Sequence, residues 1–187
     1  MARKLRDCPA DLPQHLILRG NNRQNIFTHP KDYRIYLSNI LEEVKRTEIN
    51  VHAWVLMTNH IHLLVTPRYA DSISHAMQRT AAGYARYFNK EYQRSGTIWE
   101  GRFKNLPITN EKYLLQVQMY IELNPVRASM CTHPKDYAWS SYNISSGRSY
   151  SDLFSPSELY LELAKNDLER AKCYRILMRQ YLMSGSE

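Results

Sequence analysis

The residues whose types and spacing best suit chemistry are His60-Ile61-His62. Alternate residues on a β-strand point to the same side of a sheet, so a strand here brings two imidazoles together. Two ring nitrogens placed in this way can share one divalent cation. The plainer alternative is a pair of histidines on a polar sheet face. Asn59 before the pair and Leu63-Leu64-Val65 after it set the histidines at the start of a strongly apolar strand, where two polar side chains facing one way need a reason. Tyr120 and Asn124 are the best candidates for a nucleophile and a third ligand, because four residues apart on a helix they lie one turn apart on nearly the same face. A phenol with a pKa of about 10 is a poor nucleophile at neutral pH. Beside a bound cation it can be deprotonated and aimed at a phosphorus centre, and the Asn124 amide oxygen suits a hard cation. Against Tyr120 stand the 14 tyrosines of the chain, most of which must be packing or stacking residues.

Several elements must position these groups. His15–Arg19 is a short strand-like run, followed by the turn signal Gly20-Asn21-Asn22. From Pro30 to about Thr47, Tyr33, Tyr36, Leu37, Ile40, Leu41 and Val44 recur at helical steps. Val51–Met57 and Ile61–Thr66 are apolar, β-favouring runs separated by Thr58-Asn59-His60, which predicts antiparallel strands joined by a tight turn. Ser72 to about Tyr92 reads as a second helix with Ile73, Met77, Ala81, Tyr84 and Phe88 on one stripe. Phe103–Ile108 makes a further strand. A third helix runs from about Glu111 to Leu123, and Pro125 should stop it close to Asn124. Residues 129–155 lack a sustained period and are read as an irregular segment packed by Tyr137, Trp139 and Tyr142. Pro156–Ala164 and Asp167–Met183 read as two C-terminal helices. The order β-α-β-β-α-β-α argues for an α+β domain with a ferredoxin-like antiparallel sheet and helices packed on a face, plus the C-terminal helices.

With 187 residues, one domain is the better expectation. Residues 1–150 would form it, and 151–187 would be a helical extension packed on or near its core. The 25 basic against 18 acidic side chains leave a net charge of +7, which favours a polyanionic partner. Residues 1–150 hold 20 basic and 12 acidic side chains, a net of +8, so anion binding belongs there. No stretch approaches the roughly 18 apolar residues of a membrane span, and no apolar signal core follows the first residues, which points to a cytoplasmic protein without membrane partners. Cys8, Cys131 and Cys173 lack any Cys-x-x-Cys spacing and read as reduced thiols.

Three strings carry a family resemblance: Met57-Thr58-Asn59-His60-Ile61-His62-Leu63-Leu64-Val65, Trp99-Glu100-Gly101-Arg102-Phe103-Lys104, and Tyr120-Ile121-Glu122-Leu123-Asn124-Pro125-Val126-Arg127-Ala128. Arg19-Gly20-Asn21-Asn22-Arg23 and Tyr137-Ala138-Trp139-Ser140-Ser141 add to them. Together they resemble the single-tyrosine transposases of the HUH superfamily and, among these, the REP-associated tyrosine transposases, over about residues 12–142. The resemblance implies a metal-dependent single-strand DNA endonuclease and strand transferase on a ferredoxin-like core. Carried over, His60 and His62 are the ligand pair for Mg²⁺ or Mn²⁺, Asn124 the third ligand and Tyr120 the nucleophile. The products would be a 5′-phosphotyrosine and a free 3′-OH. The implied partner is single-stranded DNA folded into palindromic hairpins, with monomer and homodimer both open. Glu122 stands where His is common in the family, and is read as a solvated face residue, with an auxiliary ligand as the alternative.

DNA recognition is expected from Arg19 and Arg23 around the first turn, and from Arg79, Arg86, Arg94, Arg102 and Lys104. Arg102 and Lys104 stand out, because Trp99 and Phe103 beside them would offer stacking rings next to cations. Two other functions compete with the transposase-like one. A hairpin-DNA-binding protein could keep the fold without catalysis, and a metal-dependent phosphodiesterase using water would leave Tyr120 dispensable.

Overall fold

The computed structural model describes Arg6 and residues 8–184. Four strands form one antiparallel sheet: β1 (Gln14–Arg19), β2 (Ile49–Leu56), β3 (His60–Pro67) and β4 (Lys104–Pro107). Their spatial order β2-β3-β1-β4, with helices interleaved in the chain, is the ferredoxin-like arrangement. β1 therefore lies between β3 and β4, pairing Ile17 with His62 on one side and with Lys104 on the other.

The two faces of the sheet follow from the period of two. Leu16 and Leu18 of β1, Trp54 and Leu56 of β2, and Ile61, Leu63 and Val65 of β3 enter a core with α1 (Pro30–Arg46) and α2 (Ser72–Glu91). The helices contribute Tyr36, Ile40, Ile73, Met77 and Tyr84, all buried, as their 3.6-residue stripe requires. Asp32 in the first turn of α1 ties this layer together, accepting hydrogen bonds from the backbone N–H of Thr28 and His29 and from the Tyr87 and Tyr92 hydroxyls.

The opposite face is also covered. There Ala53, Val55, Met57 and Leu64 meet Leu114 and Ile121 of α3 (Leu114–Arg127) and the Tyr137 ring. The other flank of α3 carries Met119 and Leu123, which pack with Tyr142 of α4 (Tyr142–Ser145), Tyr160 of α5 (Glu158–Leu161) and Tyr174 and Met178 of α6 (Asp167–Met183). The helix bearing Tyr120 is thus clamped between the sheet and the C-terminal helices. The irregular segment after α3 runs along the edge of β2, where Leu56 N–H donates to Trp139 O and Ser141 N–H to Trp54 O. Tyr137 and Tyr142 are buried there, and Trp139 stacks on Tyr33 at 4.5 Å.

The end of α3 differs from the sequence expectation. α3 does not stop at Asn124; Pro125 lies inside it and the helix runs to Arg127. Proline withholds the N–H that would bond the carbonyl of Ile121. The Asn124 side chain supplies the substitute, its Nδ2 donating to Ile121 O at 3.3 Å and to Tyr120 O at 2.9 Å. The helix ends further on, where Ser129 takes a positive φ of 56° and Met130 N–H closes back on Pro125 O.

Candidate active site

The tight turn between β2 and β3 sets the position of His60. Met57 N–H bonds His60 O across it, and Gly20 N–H and Ile26 N–H hold it from outside through Asn59 O and Thr58 O. This close approach requires glycine at 20, because a Cβ there would fall against the carbonyl oxygen of Gln24 and within 2.8 Å of the Ile26 side chain. The Asn59 amide is oriented by donating Nδ2–H to Arg23 O. Its Oδ1 then accepts from His60 Nδ1–H at 2.7 Å, which leaves the lone pair of His60 on Nε2.

His62 lies two residues on, on the same face, with its ring centroid 5.0 Å from that of His60. Its ring is 5% exposed and meets a third imidazole, that of His15 on β1, with His15 Nε2 and His62 Nδ1 2.7 Å apart. Burial pushes the pKa of His15 down to about 4. Burial, with the charges of His15, His60 and Arg19, pushes that of His62 down to about 3. His60 is lowered by burial and by Arg19. All three rings are therefore neutral at neutral pH, the form in which an imidazole offers a lone pair.

α3 crosses this face and presents Tyr120. Its ring stands edge-on to both His62, at 6.3 Å between centroids, and His15, at 6.1 Å. Tyr120 remains 36% exposed, so a substrate can reach it. The guanidinium of Arg127 lies 4.9 Å over the same ring. Asn124 sits one turn beyond Tyr120, and because its Nδ2 is occupied by the backbone, Oδ1 is the atom it can offer a cation. Two neutral imidazoles and an amide oxygen fit a divalent cation that keeps further positions for water or phosphate oxygens. Among the described residues no three His, Cys, Asp or Glu side chains are grouped so as to hold a metal.

Glu122 is neither a solvated face residue nor directed at this site. It is fully buried on the opposite flank of α3, where its carboxylate accepts from Ser141 Oγ at 2.6 Å, Ser145 Oγ at 2.5 Å and the Tyr174 hydroxyl at 2.7 Å. The exposed tyrosine and the buried carboxylate are two residues, about 200°, apart on the helix, so they face opposite ways.

The expected basic residues divide by layer. Arg19, paired with His60, and Lys104, in the same cross-strand row as Ile17 and His62, are exposed on the histidine face. Arg23 is exposed beside the turn that holds Asn59. Arg79 and Arg86 lie on α2, across the sheet from the histidines, and line a groove with α1 in which Arg79 faces Glu43 at 3.5 Å. Trp99 is not available as a stacking platform. It is 8% exposed, its indole N–H donates to Ala81 O, and it packs on Tyr36 and Tyr84. Phe103 is buried to a similar extent and lies under the Arg6 guanidinium. Arg102 is exposed on that same edge.

The family described as "Transposase IS200 like" matches residues 9–124, well over half of the chain. The chain belongs to the IS200-like transposase family. Among solved structures, this IS200-like fold is similar to a REP-associated tyrosine transposase bound to a REP hairpin, with 20% identity and a TM-score of 0.64 over 84% of this chain and 96% of that one. A putative transposase from Deinococcus radiodurans also matches, at 21% identity and a TM-score of 0.45, over 64% of this chain and 95% of that one. No curated protein matches the sequence.

Two residues of the IS200-like site escaped the sequence reading. His15 shares the parity of Arg19 on β1, a signal that could have placed it on the Arg19 face, but its contact with His62 depends on the β1–β3 register. Arg127 follows Tyr120 by seven residues, two helical turns, which places it on the same stripe.

Proposed function

We propose that the protein is a metal-dependent endonuclease and strand transferase that cleaves and rejoins hairpin-containing single-stranded DNA through a covalent 5′-phosphotyrosine. The observation that carries this function is the exposed Tyr120 ring standing edge-on to His62, next to a histidine pair whose members are neutral. Family membership and the hairpin bound to the similar transposase support DNA as the substrate. His60, His62 and Asn124 would hold Mg²⁺ or Mn²⁺. When bound, that cation would polarise the phosphoryl oxygens and offset charge at the reacting phosphate.

The protein residues divide the remaining work. Tyr120 Oη gives up its proton and forms a bond to phosphorus as the bond from phosphorus to the 3′ oxygen breaks. The departing oxygen takes up a proton and leaves as a 3′-OH, while the 5′-phosphate stays on the tyrosine. Attack of a 3′-OH on the phosphotyrosine reverses these steps and rejoins the strand without a nucleotide cofactor. Arg127 stacks its guanidinium over the Tyr120 ring, and Arg19, Arg23 and Lys104 supply cations for the DNA backbone on the same face.

The test is incubation with single-stranded hairpin DNA from the flanks of the gene and Mg²⁺ or Mn²⁺, followed by denaturing electrophoresis. A denaturant-resistant protein–DNA adduct that disappears in Tyr120→Phe is the expected result. Cleavage that persists in Tyr120→Phe overturns the tyrosine mechanism in favour of water.

A further inference from the structure

His15 is a buried polar side chain to which neither the sequence pattern nor the proposed strand transfer assigns a task. It sits on β1, where its Cα pairs with Leu64, and its ring leans along the strand to stack on His62 at 4.9 Å between centroids with 30° between planes. Both rings are nearly buried, at 7% and 5% exposure, and the 2.7 Å contact between His15 Nε2 and His62 Nδ1 is a hydrogen bond. One ring must donate and the other accept, since two neutral nitrogens at this distance cannot both carry a proton or both carry a lone pair.

We infer that His15 is a positioning residue whose Nε2 accepts the Nδ1–H of His62, holding His62 in the tautomer whose Nε2 carries the lone pair. His60 supplies the reason. Its tautomer is determined by Asn59 Oδ1, which can only accept, and by the Asn59 Nδ2–H that donates to Arg23 O and fixes which way the amide points. His60 is therefore an Nδ1–H imidazole with Nε2 open. Two histidines at alternate strand positions present equivalent atoms to one cation only if His62 is protonated in the same way. The acceptor that does this for His62 is His15, as Asn59 does it for His60. A backbone carbonyl or carboxylate is the usual partner for a ligating histidine; here an imidazole occupies that place. His15 is not itself a third ligand, because its Nε2 lone pair is directed at the His62 ring. This inference rests on the proposed cation-holding role of His60 and His62.

Long-range ¹H–¹⁵N correlation spectra of the metal-free full-length protein, with ¹⁵N-labelled histidine, read the tautomers directly. The expected pattern is Nδ1–H for His15, His60 and His62 alike, and an Nε2–H signal for His62 overturns the inference. Mn²⁺ titration of the full chain followed by electron paramagnetic resonance gives the second measurement. His15→Leu removes the acceptor and is expected to weaken Mn²⁺ binding about 10- to 100-fold. His15→Gln, whose Oε1 can stand near the place of Nε2, should recover most of that loss. Unchanged affinity in His15→Leu, or no recovery in His15→Gln while both variants keep wild-type amide spectra, refutes the positioning role. A wild-type protein that binds no Mn²⁺ instead sinks the cation-holding role of His60 and His62, and the tautomer spectrum still decides what His15 does.

Discussion

The hydroxyl of Tyr174 on α6 donates a 2.7 Å hydrogen bond to Oε2 of Glu122 on α3. The contact joins the C-terminal helix to the helix that carries Tyr120, through a carboxylate with no exposure to water. Removing the hydroxyl leaves Oε2 buried with one donor fewer, and an unsatisfied buried group of this kind costs about 1–3 kcal/mol. Tyr174→Phe should therefore lower the unfolding free energy by that amount in urea titrations. Because Tyr120 lies on the same helix, the variant should also form the DNA adduct more slowly while binding the hairpin nearly as tightly.

Glu122 makes the stability of the protein depend on pH. Burial pushes its pKa up to about 7, against the hydrogen bonds from Ser141, Ser145 and Tyr174, which favour the charged form. A carboxyl whose folded pKa lies above its unfolded value of 4.5 stabilises the fold fully below that value, and the contribution is lost as pH rises through about 7. Glu122→Gln should remove this loss, so the stability of the variant relative to wild type should rise by about 3 kcal/mol between pH 4.5 and 7.5. The comparison must be between the two proteins at each pH, because His15 and His62, with lowered values, act in the opposite direction over part of the same range. A relative stability independent of pH would show that Glu122 is ionised in the fold.

Gly20 links the first loop to the histidine turn. Its backbone φ of −66° suits any residue, so the requirement for glycine is spatial: a methyl group would press on Gln24 O and on Ile26. Gly20→Ala should cost about 1–3 kcal/mol as an overpacked site. The Gly20 N–H to Asn59 O bond should weaken with it, seen as faster hydrogen exchange at residue 20, and Mn²⁺ affinity should fall because Asn59 no longer holds His60 in place. Retained protection at residue 20 would show that the loop absorbs the methyl group without moving.

The elements and the His60/His62 pair were legible because their signals are local. A period of two puts alternate side chains on one face whatever the strand pairs with, and the stripes of α1 and α2 follow from 3.6 residues per turn. The relation of Tyr120 and Asn124 is of the same kind. Pro125 reads as the end of the helix because it lacks an N–H, whereas Asn124 beside it repairs the gap and Ser129 provides the stop.

What only the tertiary structure decided is which residues meet between elements. Trp99 looks alike in sequence whether it stacks on bases or fills a core, and the packing of α1 and α2 under the sheet put it in the core. Glu122 looks like any helix carboxylate until α6 and the Ser141–Ser145 segment close over it. His15 reaches His62 through the β1–β3 register, which sets the two residues, 47 positions apart, diagonally across the strand pair. Backbone geometry sets which way a side chain points within its own element. What it points at depends on the register of strands and the stacking of layers, and these are settled by burying apolar surface across the whole chain rather than by any local string.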